Sequence, residues 1–187
     1  FPVNQRFRSI FTFNEFAAGR DTIHGDEGDD IILGQQHADW LYGGQDEDDI
    51  TGGHNFLSGT LSGHDAGDYI EGGGAADVII GDNGIIERTA ISLAPWSWEQ
   101  YPATQNTTTI KLDDVIRTVT RYDNQERLRF DDAELMHGSD TIYGDQPNTA
   151  LNTADGHDIV FGQRGDDVIH GGGGDDELIG EVGEIGR

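Results

Sequence analysis

Cysteine is absent from the 187 residues, which removes disulfide scaffolds, thiolate zinc sites and cysteine nucleophiles together. Positive charge is scarce as well: 11 Lys and Arg stand against 36 Asp and Glu, a formal net charge of −25. Such a chain repels phosphate backbones and anionic lipid, so neither nucleic acid nor bare membrane is an expected partner, while cations are. No run approaches the roughly 18 to 20 apolar residues that a membrane span needs. The first residue is Phe1 and not Met, so the chain reads as a processed or excised piece. Apolar residues make up only 34% of the total, a balance that on average favours disorder, because self-repelling acid outweighs the surface available for burial. Arrangement overturns that average.

What the sequence has in quantity is glycine, 28 residues of it, spaced with Asp and an aliphatic residue in a nine-residue period. Gly25-Asp26-Glu27-Gly28-Asp29-Asp30-Ile31-Ile32-Leu33 is followed without a gap by units starting at Gly34 and Gly43, which place Asp39 and Leu41, then Asp48 and Ile50, in the same slots. A half-unit from Gly19 to His24 precedes them. Units at Gly162 and Gly171 repeat the pattern with Asp167 and Ile169, then Asp176 and Leu178, and shorter units surround Asp140 and Asp158. Held in register, Gly144 to Asn152 reads as a degraded repeat with Leu151 in the aliphatic slot and Thr149 in the Asp slot. Between Asp48 and Asp68 the count is two residues over period, which predicts a bulged turn at Phe56 to Gly63; Asp77 follows Asp68 by nine.

These units match the glycine-rich nonapeptide G-G-x-G-x-D-x-U-x, and the chain is identified as resembling the RTX, or haemolysin-type calcium-binding, repeat family over about two thirds of its length. The motif has a physical logic. Glycine serves a turn that closes off to Cβ-bearing residues, and a three-residue strand then points its middle side chain inward. The resemblance implies an all-β, right-handed parallel β-roll in which two units close one coil. It also implies several Ca²⁺ ions between same-side turns, held by the repeat Asp carboxylates and nearby carbonyls. The residues so implicated are Asp21, Asp30, Asp39, Asp48, Asp68, Asp77, Asp140, Asp158, Asp167 and Asp176, with Gly28, Gly165 and Gly174 of the same turns. An 18-residue spacing of same-side turns pairs Asp21 with Asp39 and Asp30 with Asp48. It puts Asp140, Asp158 and Asp176 on one ladder and leaves Asp167 facing Thr149 and Ile185, a weak second ladder. The expected core line is Ile23, Ile32, Leu41, Ile50, Ile70, Ile79, Ile142, Leu151, Val160, Ile169 and Leu178. Oxygen ligands at flexible spacing favour Ca²⁺ over Mg²⁺ and over soft metals, with affinities of about 10⁻⁴ to 10⁻³ M for an extracellular module. One aliphatic residue per nine is a thin core, so folding is expected to be coupled to metal.

Residues 85–136 contain no glycine and hold six of the 11 basic residues: Arg88, Lys111, Arg117, Arg121, Arg127 and Arg129. The stretches 107–112 and 115–122 are β-branched and predict strands; 131–136 reads as one helical turn. The expected organisation is therefore the end of a preceding glycine-poor segment at 1–18, a first roll block at 19–84, the glycine-free, mainly β insert at 85–136, and an open-ended second block at 137–187. Arg8-Ser9-Ile10-Phe11-Thr12 echoes Arg117-Thr118-Val119-Thr120, and residues 79–88 match 178–187 at five positions in ten, which together predict a fragment of a larger tandem protein. Trp96, Trp98 and Tyr101 would form a stacking platform for sugars, against the competing reading that they pack the insert onto the roll. Asn106-Thr107-Thr108 is a glycosylation sequon.

No metalloprotease, nucleophile-elbow or phosphate-loop sequence occurs, and acid pairs such as Asp113/Asp114 would point to opposite faces of a strand, so no enzyme activity is expected. The seven His residues occupy unrelated slots and read as solvated turn or strand side chains. The expected function is a calcium-binding structural or adhesive segment of a secreted, extracellular or cell-surface protein. Two alternatives are the folding and secretion module of an RTX enzyme with its catalytic domain elsewhere, and carbohydrate binding through the insert. Calcium is the principal partner, with further copies of the chain, neighbouring modules and polysaccharide as the others this reading admits.

Overall fold

The computed structural model describes residues 19–54, 66–89, 107–112, 115–121, 138–147 and 156–180. Every element among them is a strand. One parallel sheet is built, in spatial order, from β1 (Thr22–Glu27), β3 (Trp40–Gln45), β5 (Tyr69–Gly73), β10 (Thr141–Asp145) and β12 (Val168–His170). A second parallel sheet orders β2 (Ile31–Leu33), β4 (Asp49–Thr51), β6 (Val78–Ile80), β11 (Ile159–Phe161) and β13 (Glu177–Ile179). Successive nonapeptides alternate between the sheets, so two units close one coil and the fold is a parallel β-roll.

The aliphatic slot sets the core because strand side chains alternate between faces. Ile23, Leu41, Ile70, Ile142 and Ile169 stand in register across the first sheet, and Ile32, Ile50, Ile79, Val160 and Leu178 across the second. Seven of them, Ile32, Leu41, Ile50, Ile70, Ile79, Ile142 and Val160, form one buried cluster between the sheets. Leu178, on the last described coil, keeps the register of the core line but is 44% exposed. Each coil also rests on the next through glycine. A Cβ at Gly72 would collide with the carbonyl oxygen of Gly144 and with Asp77 Oδ2. Gly72→Ala is therefore expected to destabilise the roll by about 3 kcal/mol, read as a lowered midpoint of thermal unfolding in saturating Ca²⁺.

Two register expectations are corrected. Asp140 does not share a ladder with Asp158 and Asp176; β10 lies between β5 and β12, and Asp140 N donates to Asp167 Oδ1 across a separation of 27 residues. Gly144 and Asp145, which open the stretch counted as a degraded repeat, end β10, and the next strand among the described residues is β11, so the extra nine residues fall in the connection between the two. Likewise Asp39 N donates to Asp68 Oδ1 across 29 residues, so the excess before Asp68 falls in the connection between β4 and β5. Extra residues in a connection cost little entropy, whereas a coil without its glycine and Asp would leave backbone groups unpaired. Phe56 to Gly63, Thr149, Leu151, Ile185, the 131–136 turn and the segment 1–18 lie outside the described residues.

The glycine-free stretch supplies a third, antiparallel sheet, ordered β7 (Gly84–Thr89), β9 (Val115–Arg121) and β8 (Thr107–Leu112). It covers the outer face of the second sheet, where Val119 joins Ala76, Val78, Ile80, Ile159 and Phe161 in a separate buried cluster with Ile86 against it. Arg121 lies over the Phe161 ring at 4.6 Å. The roll strands run past this insertion without a break: β5 pairs directly with β10 and β6 with β11. On the outer face of the first sheet His24, Tyr42, Tyr69, Tyr143 and His170 form a continuous run of ring contacts, stacked at both ends at 4.6 and 4.9 Å.

Candidate metal centre

The repeat Asp residues stand on two ladders of five, one at each edge of the roll. Asp21, Asp39, Asp68, Asp140 and Asp167 form the first, and Asp30, Asp48, Asp77, Asp158 and Asp176 the second. The rungs are joined in one way throughout: the backbone N–H of each Asp donates to Oδ1 of the next, at 2.7–2.8 Å from Asp21, Asp30, Asp39, Asp48 and Asp68. The ladder expected to be weak is thus complete. From the second rung of each ladder on, one oxygen, half of the carboxylate, caps the neighbouring coil, as Asp does in turns.

The other half is different. Oδ2 of Asp30, Asp39, Asp48, Asp68, Asp77 and Asp140 is buried and accepts no hydrogen bond. A carboxylate oxygen stripped of water with no donor carries a large desolvation penalty. Burial accordingly pushes the Asp39 carboxyl up to about 6 and that of Asp48 up to about 7. Asp68, Asp140 and Asp77 are held higher still, again chiefly by burial, with neighbouring carboxylates adding to it.

These oxygens face glycine. A Cβ on Gly25 would stand 2.7 Å from Asp30 Oδ2, and one on Gly34 2.8 Å from Asp39 Oδ2, with the carbonyl oxygens of Gly43 and Gly52 closer still. The same pairing of a carboxylate oxygen with the next coil's carbonyl recurs at Gly43, Gly52, Gly72, Gly81, Gly144 and Gly162. Gly28, Gly165 and Gly174 serve the turn in another way, sitting at φ 100°, 129° and 94° in a slot where His37, Asp46 and Ala75 adopt 75°, 72° and 72°.

A model of the RTX calcium-binding nonapeptide repeat matches residues 17–50, 38–54, 55–85 and 152–184, more than half of the sequence. The chain belongs to this family. No curated protein and no solved structure matches it. An RTX repeat requires oxygen donors for calcium, and the unpartnered Oδ2 atoms, each beside a carbonyl over a Cβ-free glycine, fit that demand. Asp30, Asp39, Asp48, Asp68, Asp77 and Asp140 are the residues that would hold the ion, which supplies the positive charge their buried oxygens lack. Among the described residues no three acidic or His side chains gather into a ready cluster, and the carbonyl oxygens of Gly43, Gly52, Gly72 and Gly144 stand beside the carboxylates as further oxygen donors.

Several features were not anticipated from the RTX pattern. Asp82 is fully buried and closes the mouth of the insertion, with Oδ1 accepting from Gly138 N at 2.7 Å and Oδ2 from Arg164 N at 3.3 Å. Asp145 Oδ2 takes Gly173 N at 2.6 Å. Both directly follow a repeat glycine, a signal that Gly81-Asp82 and Gly144-Asp145 do carry. His54 is buried and not solvated, its N–H donating to Asn83 Oδ1 at 2.9 Å. Trp96, Trp98, Tyr101 and Asn106 lie outside the described residues.

Proposed function

We propose that the chain is a non-catalytic, calcium-folded scaffold segment of a secreted extracellular or cell-surface protein. The observation that carries this reading is the row of buried Oδ2 atoms with no donor. A metal-free roll must either keep these carboxyls protonated or bury negative charge, and Ca²⁺ removes that choice. Calcium at extracellular concentration, above the roughly 10⁻⁴ to 10⁻³ M at which such modules bind, would then couple export to folding. Catalysis has no support in the carboxylates of Asp48, Asp68, Asp77, Asp140 and Asp158, since their Oδ1 atoms are committed to backbone N–H groups.

Far-UV circular dichroism of the chain, titrated from chelator to about 10 mM Ca²⁺ with Mg²⁺ in parallel, tests this. A transition to β structure specific to Ca²⁺ is expected. Full β structure in chelator at pH 7.5, unchanged by Ca²⁺, would sink the proposal.

A further inference from the structure

Two arginines of the glycine-free segment, Arg88 on β7 and Arg117 on β9, reach into the acidic flank of the roll. Arg88 spans two successive coils. Its Nη2 donates to the carbonyl oxygens of Glu47 at 2.7 Å and Asp30 at 3.4 Å, its Nε pairs with Asp49 Oδ2, and its Nη1 lies 3.6 Å from Asp29 Oδ2. Arg117 is fully buried, donating from Nε to Asp49 Oδ1 at 2.5 Å and from Nη2 to Glu47 Oε2 at 3.0 Å. Asp29 and Asp30 lead into β2, Glu47 leads into β4 one coil on and Asp49 opens it, and the rungs Asp30 and Asp48 are joined by Asp30 N to Asp48 Oδ1 at 2.8 Å. The surface that Arg88 recognises therefore exists only while these two coils stand in register, and Arg117 fixes Glu47 and Asp49 on the second of them.

We propose that Arg88 and Arg117 are positioning residues that brace the Asp30–Asp48 interval, so that the glycine-free sheet docks on the roll only in calcium and in return raises the calcium affinity of that interval. The inference rests on the calcium reading above. Its sign follows from linkage: a sheet that binds only the folded roll must strengthen whatever else binds only the folded roll. Charge works the same way. Asp29, Glu47 and Asp49 crowd the rung with like charge, and the two guanidiniums offset that repulsion in the folded roll while leaving the three carboxylates in excess. Asp49 makes the contact specific, since it stands on β4 in register with Val78 on β6, where the outer face turns apolar.

The test uses the full chain, with calcium as the probe. The Ca²⁺ midpoint of β formation is measured for wild type, Arg88→Ala, Arg88→Ala/Arg117→Ala, and Arg164→Ala as a matched loss of one exposed charge on the roll. The brace variants are expected to need about fivefold more Ca²⁺ or higher, reaching the wild-type spectrum at saturation, with Arg164→Ala unchanged. In wild type, hydrogen exchange at Ile86 and Val119 is expected to slow at the same Ca²⁺ concentration as at Ile50. Midpoints within about twofold of wild type, or Ile86 and Val119 protected in chelator, overturn the proposal. Should the double variant fail to fold at any Ca²⁺ concentration, the wild-type exchange result decides. A wild type indifferent to Ca²⁺ overturns the calcium reading and this inference with it, an outcome distinct from a responsive wild type with indifferent variants.

Discussion

In chelator, acidification from pH 8 to pH 5 is expected to fold the metal-free chain. Burial holds the Asp39 and Asp48 carboxyls at about 6 and about 7 in the roll, and Asp68, Asp77 and Asp140 higher, against an ordinary value of 3.8. A group whose folded value is raised binds its proton more tightly in the folded state. Its contribution to stability is full below 3.8 and is lost as pH climbs through the folded value, at about 1.4 kcal/mol per pH unit per group. For Asp39 and Asp48 that loss runs from about pH 4 to pH 7, and for the three deeper rungs it continues above. Protons and calcium therefore compete for the same oxygens. The Ca²⁺ midpoint should rise as pH falls from 8 to 5, and binding should release protons, which calorimetry in two buffers of different ionisation enthalpy would count. Less β structure in chelator at pH 5 than at pH 8 would show that the buried carboxyls do not control folding.

The roll itself was legible because one period carries three constraints at once. The glycine marks where coils touch, the Asp where they are tied, and the aliphatic residue where they bury. Ile70 beside Ile142 was harder to foresee, since 72 residues separate them and nine-residue counting resumes on the far side without saying which sheet comes next. Counting through Pro147 and Leu151 kept the period and misplaced the ladder, because a count does not say whether nine residues add a coil or only lengthen a connection. Backbone hydrogen bonding breaks that tie, and periodicity does not contain it. The arginine brace was equally hidden: Arg88, Arg117 and Asp49 look like ordinary surface charges until β7 and β9 are folded back over β4. What the composition did convey was that a chain with 11 cations and 36 anions, six of those cations in one segment, has a particular use for that segment.

Asp77→Asn is expected to move stability in opposite directions with and without calcium. Asp77 is fully buried, its Oδ1 accepts Asp48 N at 2.8 Å, and its Oδ2 stands over Gly72 without a donor. The amide keeps the acceptor for Asp48 N, carries no charge, and puts a donor on the side from which the Gly144 carbonyl also approaches Gly72. In chelator at pH 8 the variant should therefore hold more β structure than wild type. In saturating Ca²⁺ the ranking should reverse, with the calcium midpoint raised about tenfold for the loss of one charged ligand. Asp77→Ala separates the two roles, because it strips both oxygens and leaves Asp48 N buried and unpaired. It should lose about 1–3 kcal/mol under either condition. Thermal melts of the three proteins with and without Ca²⁺ at one pH are sufficient. If Asn weakens the chelated roll as much as Ala does, the second oxygen is not the unsatisfied partner of a metal, and the ladder is a device of backbone capping alone.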